Sequence, residues 1–283
     1  MKRIVYYILL VIFVAIFLIS GYFVVDYFLE SKQQQGQFNE LAELVSQAQQ
    51  QTLPQTPQPT ASATDSSEET TVPVETQSPH VQIQDPKTGE TISVLREYEA
   101  VYLMNTDMVG WMRIDDTKVN YPVMQTPDRT DYYLKRNFEK EYSAHGCLYV
   151  REVCDVERPS DNLTIYGHKM KDGSMFAPLF DYKEISFWEN HKTIQFDTVT
   201  EHHTYEIFSV FITTASVGQG FPYHEFVDAA DAAQFDHYVA TCKQLALYDT
   251  GITPQYGDKL ITLSTCEYSR VNGRLVVVAK RVS

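Results

Sequence analysis

Cys266 and Arg274 stand close together near the C-terminus, in the run Lys259-Leu-Ile-Thr-Leu-Ser-Thr-Cys266-Glu-Tyr-Ser-Arg-Val-Asn-Gly273-Arg274-Leu-Val-Val-Val-Ala-Lys-Arg281. A permanent guanidinium beside a thiol favours thiolate over thiol and draws the cysteine pKa below its free value of about 8.5. The same guanidinium can donate hydrogen bonds to an oxyanion forming on a carbonyl under attack. A lone cysteine at a strand end is also a common small core residue, so the pair by itself leaves both readings open.

A cysteine nucleophile normally works with a histidine that moves protons, and the chain has eight. His145, His191, His202, His203, His224 and His237 fall in polar turns or on helix faces, where a solvated imidazole is the default, and His80 belongs to a polar spacer. His168 differs, because it follows the apolar run Leu163-Thr-Ile-Tyr-Gly167 and emerges at a strand end, where Gly167 lets the backbone turn toward a cleft.

Positioning these groups requires a sheet. Leu260 to Thr265 and Leu275 to Ala279 are rich in β-branched residues and flank Asn272-Gly273, which predicts two neighbouring strands joined by a loop. Six more strands are expected at 111–114, 119–123, 147–150, 163–166, 193–197 and 204–214. Few of them are separated by a full helix, so the pattern predicts a mainly β, largely antiparallel barrel or sandwich. Leu95, Tyr98, Val101, Tyr102 and Met108 predict an opening helix over 94–108. Phe235, Tyr238, Val239, Cys242 and Leu245 predict a five-turn helix over 227–247, a long excursion able to wall a groove just before the cysteine strand.

Ile4 to Val25 is an uncharged, mostly apolar run of 22 residues, long enough to cross a hydrocarbon core of about 30 Å, preceded by Lys2 and Arg3. It is longer than a secretory signal's apolar region and carries no small-x-small cleavage site. It therefore predicts an uncleaved single-pass anchor over 1–26, with the N-terminus cytoplasmic and the remainder extracellular. Residues 27–87 read as a flexible spacer holding the domain away from the membrane, with a short helix possible over 37–50 on Phe38, Leu41, Leu44 and Val45. Thr52 to Asp85 is dominated by Thr, Pro, Gln, Ser and acids without a single Lys or Arg. Residues 88–283 suit one globular domain.

The formal net charge of −14 and the lack of a basic cluster exclude a nucleic-acid binder. The four cysteines show no zinc spacing. Cys147 and Cys154 could pair, but one lies in a strand-like run and the other in the charged loop after it, which favours separate thiols. Cys242, inside the long helix, reads as a packed residue.

Tyr166-Gly167-His168 after one strand, Thr262-Leu-Ser-Thr-Cys266 ending another and Arg274 opening the next resemble the signature of sortases, cysteine transpeptidases on the outer face of Gram-positive membranes. Asp107-Met-Val-Gly-Trp-Met-Arg-Ile114, Asn120-Tyr-Pro-Val-Met-Gln125, Tyr132-Tyr-Leu134 and the long helix before the final strand pair resemble class B members of that family. The similarity spans about residues 93 to 281. It implies an eight-stranded sortase-type β-barrel with an N-terminal helix, and Cys266, His168 and Arg274 as the catalytic set. It implies no cofactor or metal. Its expected partners are secreted proteins with C-terminal sorting signals, the amine of a peptidoglycan precursor, and the membrane through the anchor. Ser264 shares the face of Cys266 by strand alternation and, with Thr265 and Glu267 flanking the thiol, is an expected substrate contact.

The class C hallmarks, Thr-Pro-Tyr-Gly after the cysteine and a lid motif, are replaced here by Glu267-Tyr268-Ser269. Thr126 to Asp131 departs from the Asp-Asn pair expected ahead of the tyrosine-leucine match. The alternative readings are a class B type pilin polymerase, a cysteine peptidase using water as acceptor, and a non-catalytic tethered domain of the same fold.

Overall fold

The structure, a computed structural model, describes residues 2–52, 78–216 and 218–283. Its longest element is α1 (Lys2–Thr52), a single uninterrupted helix. The apolar run and the expected short helix over 37–50 are therefore parts of one rod, and the first half of the expected spacer is helical. Ser31, Gln34, Phe38, Leu41 and Val45 are its buried residues, spaced alternately three and four apart. That spacing keeps one stripe of a helix facing a partner. The partner is the barrel, where the Phe38 ring meets Tyr121 edge-on with centroids 5.1 Å apart. Leu44, expected on this stripe, lies one residue off it and is exposed.

The Thr-Pro-Gln-rich segment 53–77 lies outside the described residues. The last part of the expected spacer is folded: β1 (His80–Gln84) pairs antiparallel with β2 (Thr91–Leu95). The opening helix is correspondingly shorter than its apolar spacing predicted, a single 3₁₀ turn followed by α2 (Glu99–Met104). Val94 and Leu95 are buried as strand residues and Met108 begins a strand.

The eight predicted barrel strands are all present: β3 (Met108–Arg113), β4 (Asn120–Met124), β5 (Leu148–Val150), β6 (Asn162–Tyr166), β7 (Thr193–Thr198), β8 (Thr204–Thr214), β9 (Leu260–Glu267) and β10 (Gly273–Arg281). They close in the order β10-β8-β7-β3-β4-β5-β6-β9, so the barrel itself has no free edge. β4 with β5 and β6 with β9 pair in parallel, and the other pairs are antiparallel. A short helix, α3 (Ile185–Asn190), precedes β7.

The run Leu275-Val-Val-Val-Ala279 is buried at every position. Two cores explain it: Leu275, Val277 and Ala279 belong to the barrel interior, whereas Val276 and Val278 join a second cluster beneath α4 (Ala232–Leu245). A strand covered on both faces must be apolar throughout rather than alternating. The expected face of α4 is correct at Phe235, Tyr238, Val239 and Cys242. The helix is about four turns rather than five, because Asp231 caps it by accepting a hydrogen bond from Gln234 N at 2.9 Å. Cys147 and Cys154 are both free thiols.

Candidate active site

The ladder between β9 and β10 places Arg274 directly opposite Cys266. β6 runs parallel to β9 with Tyr166 beside Ser264, and Gly167 N donates to Ser264 O at 3.2 Å. Two residues beyond that rung the chains carry His168 and Cys266, so parallel pairing delivers both to the same end of the barrel. The three expected catalytic residues line one cleft of about 270 Å³, together with Asp131, Leu134, Tyr149, Tyr166, Tyr223, His224, Ser264 and Thr265. A larger cleft of about 380 Å³ lies between α1 and the barrel near Trp111 and His202. It contains no thiol, so the chemistry belongs to the smaller one.

His168 Nε2 lies 2.7 Å from Leu134 O. A carbonyl only accepts, so Nε2 carries the proton in this arrangement and Nδ1 is left for the cleft. Burial pulls the His168 pKa below its ordinary value, and the nearby His145 and Lys135 act in the same sense against the Leu134 hydrogen bond. Gly167 has a steric reason for its place: a Cβ there would approach Leu148 Cδ2 to 2.4 Å and the Phe176 ring to 2.6 Å. Arg274 Nη1 donates to Gly273 O at 2.9 Å and to Asn272 O at 3.4 Å, which orients the guanidinium at the strand start.

Cys266 is the one partly exposed thiol; the other three are buried. Burial pushes the pKa values of Cys147, Cys154 and Cys242 up, which makes them inert. Ser264 faces the cleft side as alternation predicted, and its hydroxyl is 2.6 Å from Tyr223 OH. Thr265 points the other way, opposite Leu275 of the barrel core, with Oγ1 buried and without a partner among the described residues, so it meets the cleft through its backbone.

Glu267 is not a cleft residue. Its buried carboxylate pairs with Lys183 at 2.9 Å and accepts from Ser269 N and Oγ. Burial raises its pKa, but Ser269 and Lys183 outweigh that and hold it at about 2. It fixes the turn after Cys266, and its carboxylate is engaged there rather than in the cleft where a substrate contact was expected.

Three histidines expected to be solvated also differ, among them His203, which is buried. His224 lines the cleft beside Tyr223, carried there by the β8–α4 connection, which is held against β6 by Asn162 Nδ2 donating to Phe226 O at 2.9 Å and by Arg151 donating to His224 O. This excursion walls the groove as expected, through the residues before the helix rather than the helix itself. His145 is buried, with Nε2 3.2 Å from Asp172 Oδ2. Tyr149, Tyr223 and His224 had no local signal: Tyr149 enters on β5 beside Tyr166, and Tyr223 and His224 enter on the β8–α4 connection, which packs against segments distant in the chain. Among the described residues no group of three His, Cys, Asp or Glu side chains could hold a metal ion.

A family model described as the Sortase domain matches residues 112–282, and the chain belongs to the sortase family of cysteine transpeptidases. Its curated relatives point to class B. It is 34% identical over 197 residues to Sortase B of Listeria monocytogenes, covering 69% of this chain and 76% of that one, and 33% identical over 186 residues to Sortase B of Staphylococcus aureus, covering 65% and 74%. Among solved structures, a Staphylococcus aureus sortase B-substrate complex superposes with a TM-score of 0.69 at 25% identity, covering 90% of this chain and 99% of that one. Sortase B from B. anthracis in complex with AAEK1 gives 0.67 at 27% over the same shares.

Proposed function

We propose that Cys266, His168 and Arg274 carry a transpeptidation in which a C-terminal sorting motif of a secreted protein is cut and joined to an amine of a peptidoglycan precursor. The observation that carries this reading is the register that sets Arg274 opposite Cys266 and brings His168 to the same strand ends. The Cys266 thiolate attacks the carbonyl of a threonine-like residue, and Arg274 donates to the resulting oxyanion. The carbon–nitrogen bond then breaks as imidazolium His168 protonates the departing amine, leaving a thioester. An incoming primary amine gives its proton to His168, attacks the thioester carbonyl and returns the thiolate.

Burial disfavours the charged form of His168 at rest, and the Leu134 hydrogen bond, which opposes that shift, orients the ring of a proton carrier. Ser264 with Tyr223 forms a polar patch beside the thiol suited to a substrate backbone.

α1 is long and apolar enough over its first half to cross a membrane. With Lys2 and Arg3 ahead of that run, the reading is a single-pass anchor with the catalytic domain outside the cell. The experiment is a cleavage assay with peptides bearing sorting motifs, with triglycine as acceptor. Cys266→Ala is expected to release no product, and retained cleavage would sink the assignment. Hydrolysis without a triglycine adduct would favour a peptidase over a transferase.

A further inference from the structure

A proton carrier is only as well placed as the segments around it, and two segments surround His168. The first is its own loop, 167–176, closed at its base by Phe176 N donating to His168 O at 2.9 Å and by the Lys169–Met175 bridge. The second carries Leu134, whose carbonyl takes the Nε2–H. Gly146 presses on that carbonyl with φ +59°, and a Cβ there would come within 2.5 Å of it.

Both segments meet at Asp172, four residues beyond His168 and still in its loop. The carboxylate accepts from Ser174 N at 2.9 Å and Ser174 Oγ at 2.5 Å within the loop. From the Leu134 segment it faces Nε2 of His145, the neighbour of Gly146, at 3.2 Å. From α1 it accepts the Ser31 hydroxyl, and the preceding residue, Glu30, accepts from Ala144 N at 2.7 Å. Burial raises the Asp172 pKa, but these donors hold it at about 2. Among the described residues His145 Nδ1 is buried without a partner, and the ring's hydrogen bond runs from Nε2 to Asp172.

We infer that Asp172 is a positioning residue for His168, and that Glu30 and Ser31 of α1 complete the same support, making the helix that continues from the apolar run part of the active-site scaffold. The inference rests on His168 being the proton carrier. Replacing the carboxylate by an amide keeps one acceptor oxygen and turns the other into a donor, so the donors that converge from three segments can no longer all be satisfied, which loosens the histidine loop and the carbonyl that orients its ring. Reacting groups tolerate little such freedom, since displacement by about 1 Å can slow a reaction by about 100-fold.

The test uses the full-length protein in detergent micelles, a fluorogenic threonine-containing sorting peptide that the wild type cleaves, and triglycine. Rates are expressed per molecule that takes up a single alkyl group, at Cys266, because an unfolded molecule exposes all four thiols and is thereby excluded from the comparison. Asp172→Asn is expected to lower kcat at least about tenfold with KM within about twofold, and Asp172→Glu to recover part of that loss. Ser31→Ala is expected to lower kcat roughly threefold. Wild-type kcat per thiol in Asp172→Asn, whatever its melting temperature, overturns the positioning role. Wild-type kcat in Ser31→Ala removes α1 from the scaffold, and this variant decides the matter if Asp172→Asn does not fold. Activity in His168→Gln would instead overturn the underlying assignment, and so is distinguishable from either result.

Discussion

Arg274 is the direct cross-strand partner of Cys266, so guanidinium and thiol leave the same face of the β9–β10 pair on adjacent strands. Directly opposed residues have Cβ atoms about 5 Å apart, a separation that backbone pairing fixes before any side chain chooses a rotamer. Arg274 spends one arm on the carbonyls of Asn272 and Gly273, and the remaining donors of its fork are available to an oxyanion. Arg274→Lys keeps the charge and loses the fork. It is expected to lower kcat/KM by about 100-fold while leaving the melting temperature close to wild type; full activity would remove Arg274 from oxyanion stabilisation.

The thiols should separate cleanly by reactivity. Cys266 is partly exposed, whereas Cys147, Cys154 and Cys242 are buried and have raised pKa values. Mass spectrometry after brief iodoacetamide treatment of the native protein is expected to find a single adduct, on Cys266, with the other three appearing only on denaturation. A second native-state adduct would contradict this arrangement.

Gly167→Ala tests the tight approach behind His168. A methyl there meets Leu148 and Phe176 well inside contact distance, and the loop bearing His168 must shift outward. Overpacking of this kind costs about 1–3 kcal/mol. Denaturant titration is expected to show that loss, and the cleavage assay a larger proportional fall in kcat than in stability.

Glu267→Gln is expected to destabilise the protein by roughly 1–3 kcal/mol in urea titration, because it removes the charged acceptor of Lys183 and Ser269. Its folded pKa of about 2 lies below the ordinary value of 4.5, so its contribution is present above pH 4.5 and fades as pH falls toward 2. The KM for the sorting peptide should change little, which separates a turn-fixing carboxylate from a substrate contact.

His202 predicts an opposite pH dependence. Hydrogen bonds to Asp197 at 2.8 Å and Glu97 at 3.2 Å raise its pKa from 6.5 to about 10. A raised folded pKa gives stability that is complete below 6.5 and is lost as pH climbs from 6.5 to 10. The side chain is 55% exposed, so the effect is small and screened by salt. Melting curves across that window should show a shallower decline for His202→Gln than for wild type.

Most of the barrel was legible because its strands announce themselves one at a time. Leu163 to Tyr166 and Leu260 to Thr265 are short β-branched or apolar runs that end in residues able to do chemistry. What pairs with what was not legible. The parallel pairing of β6 with β9 joins residues about 100 positions apart, the β8–α4 connection brings Tyr223 and His224 against those strands, and the Lys183 ion pair holds Glu267 away from the cleft. The burial of His145 is hidden for the same reason: the turn Ser143-Ala-His145-Gly is polar locally, and its burial comes from α1 and Asp172, distant in the chain. The helix α1 was divided into an anchor and a tether because its composition changes at Asp26 while its backbone does not. The alternating three-and-four spacing from Ser31 to Val45 was the signal that its second half has a partner.

If α1 is the anchor proposed above, its unbroken backbone turns the relation between barrel and bilayer into a question of angle. A coil can gain or lose residues without disturbing what hangs from it, but a helix rotates by about 100° for each residue added. Inserting two residues between Val25 and Glu30 would swing the docking stripe about 200° around the rod, away from the barrel. Inserting seven would restore the phase and raise the barrel by roughly 10 Å. The register of this helix therefore encodes both the height and the heading of the cleft.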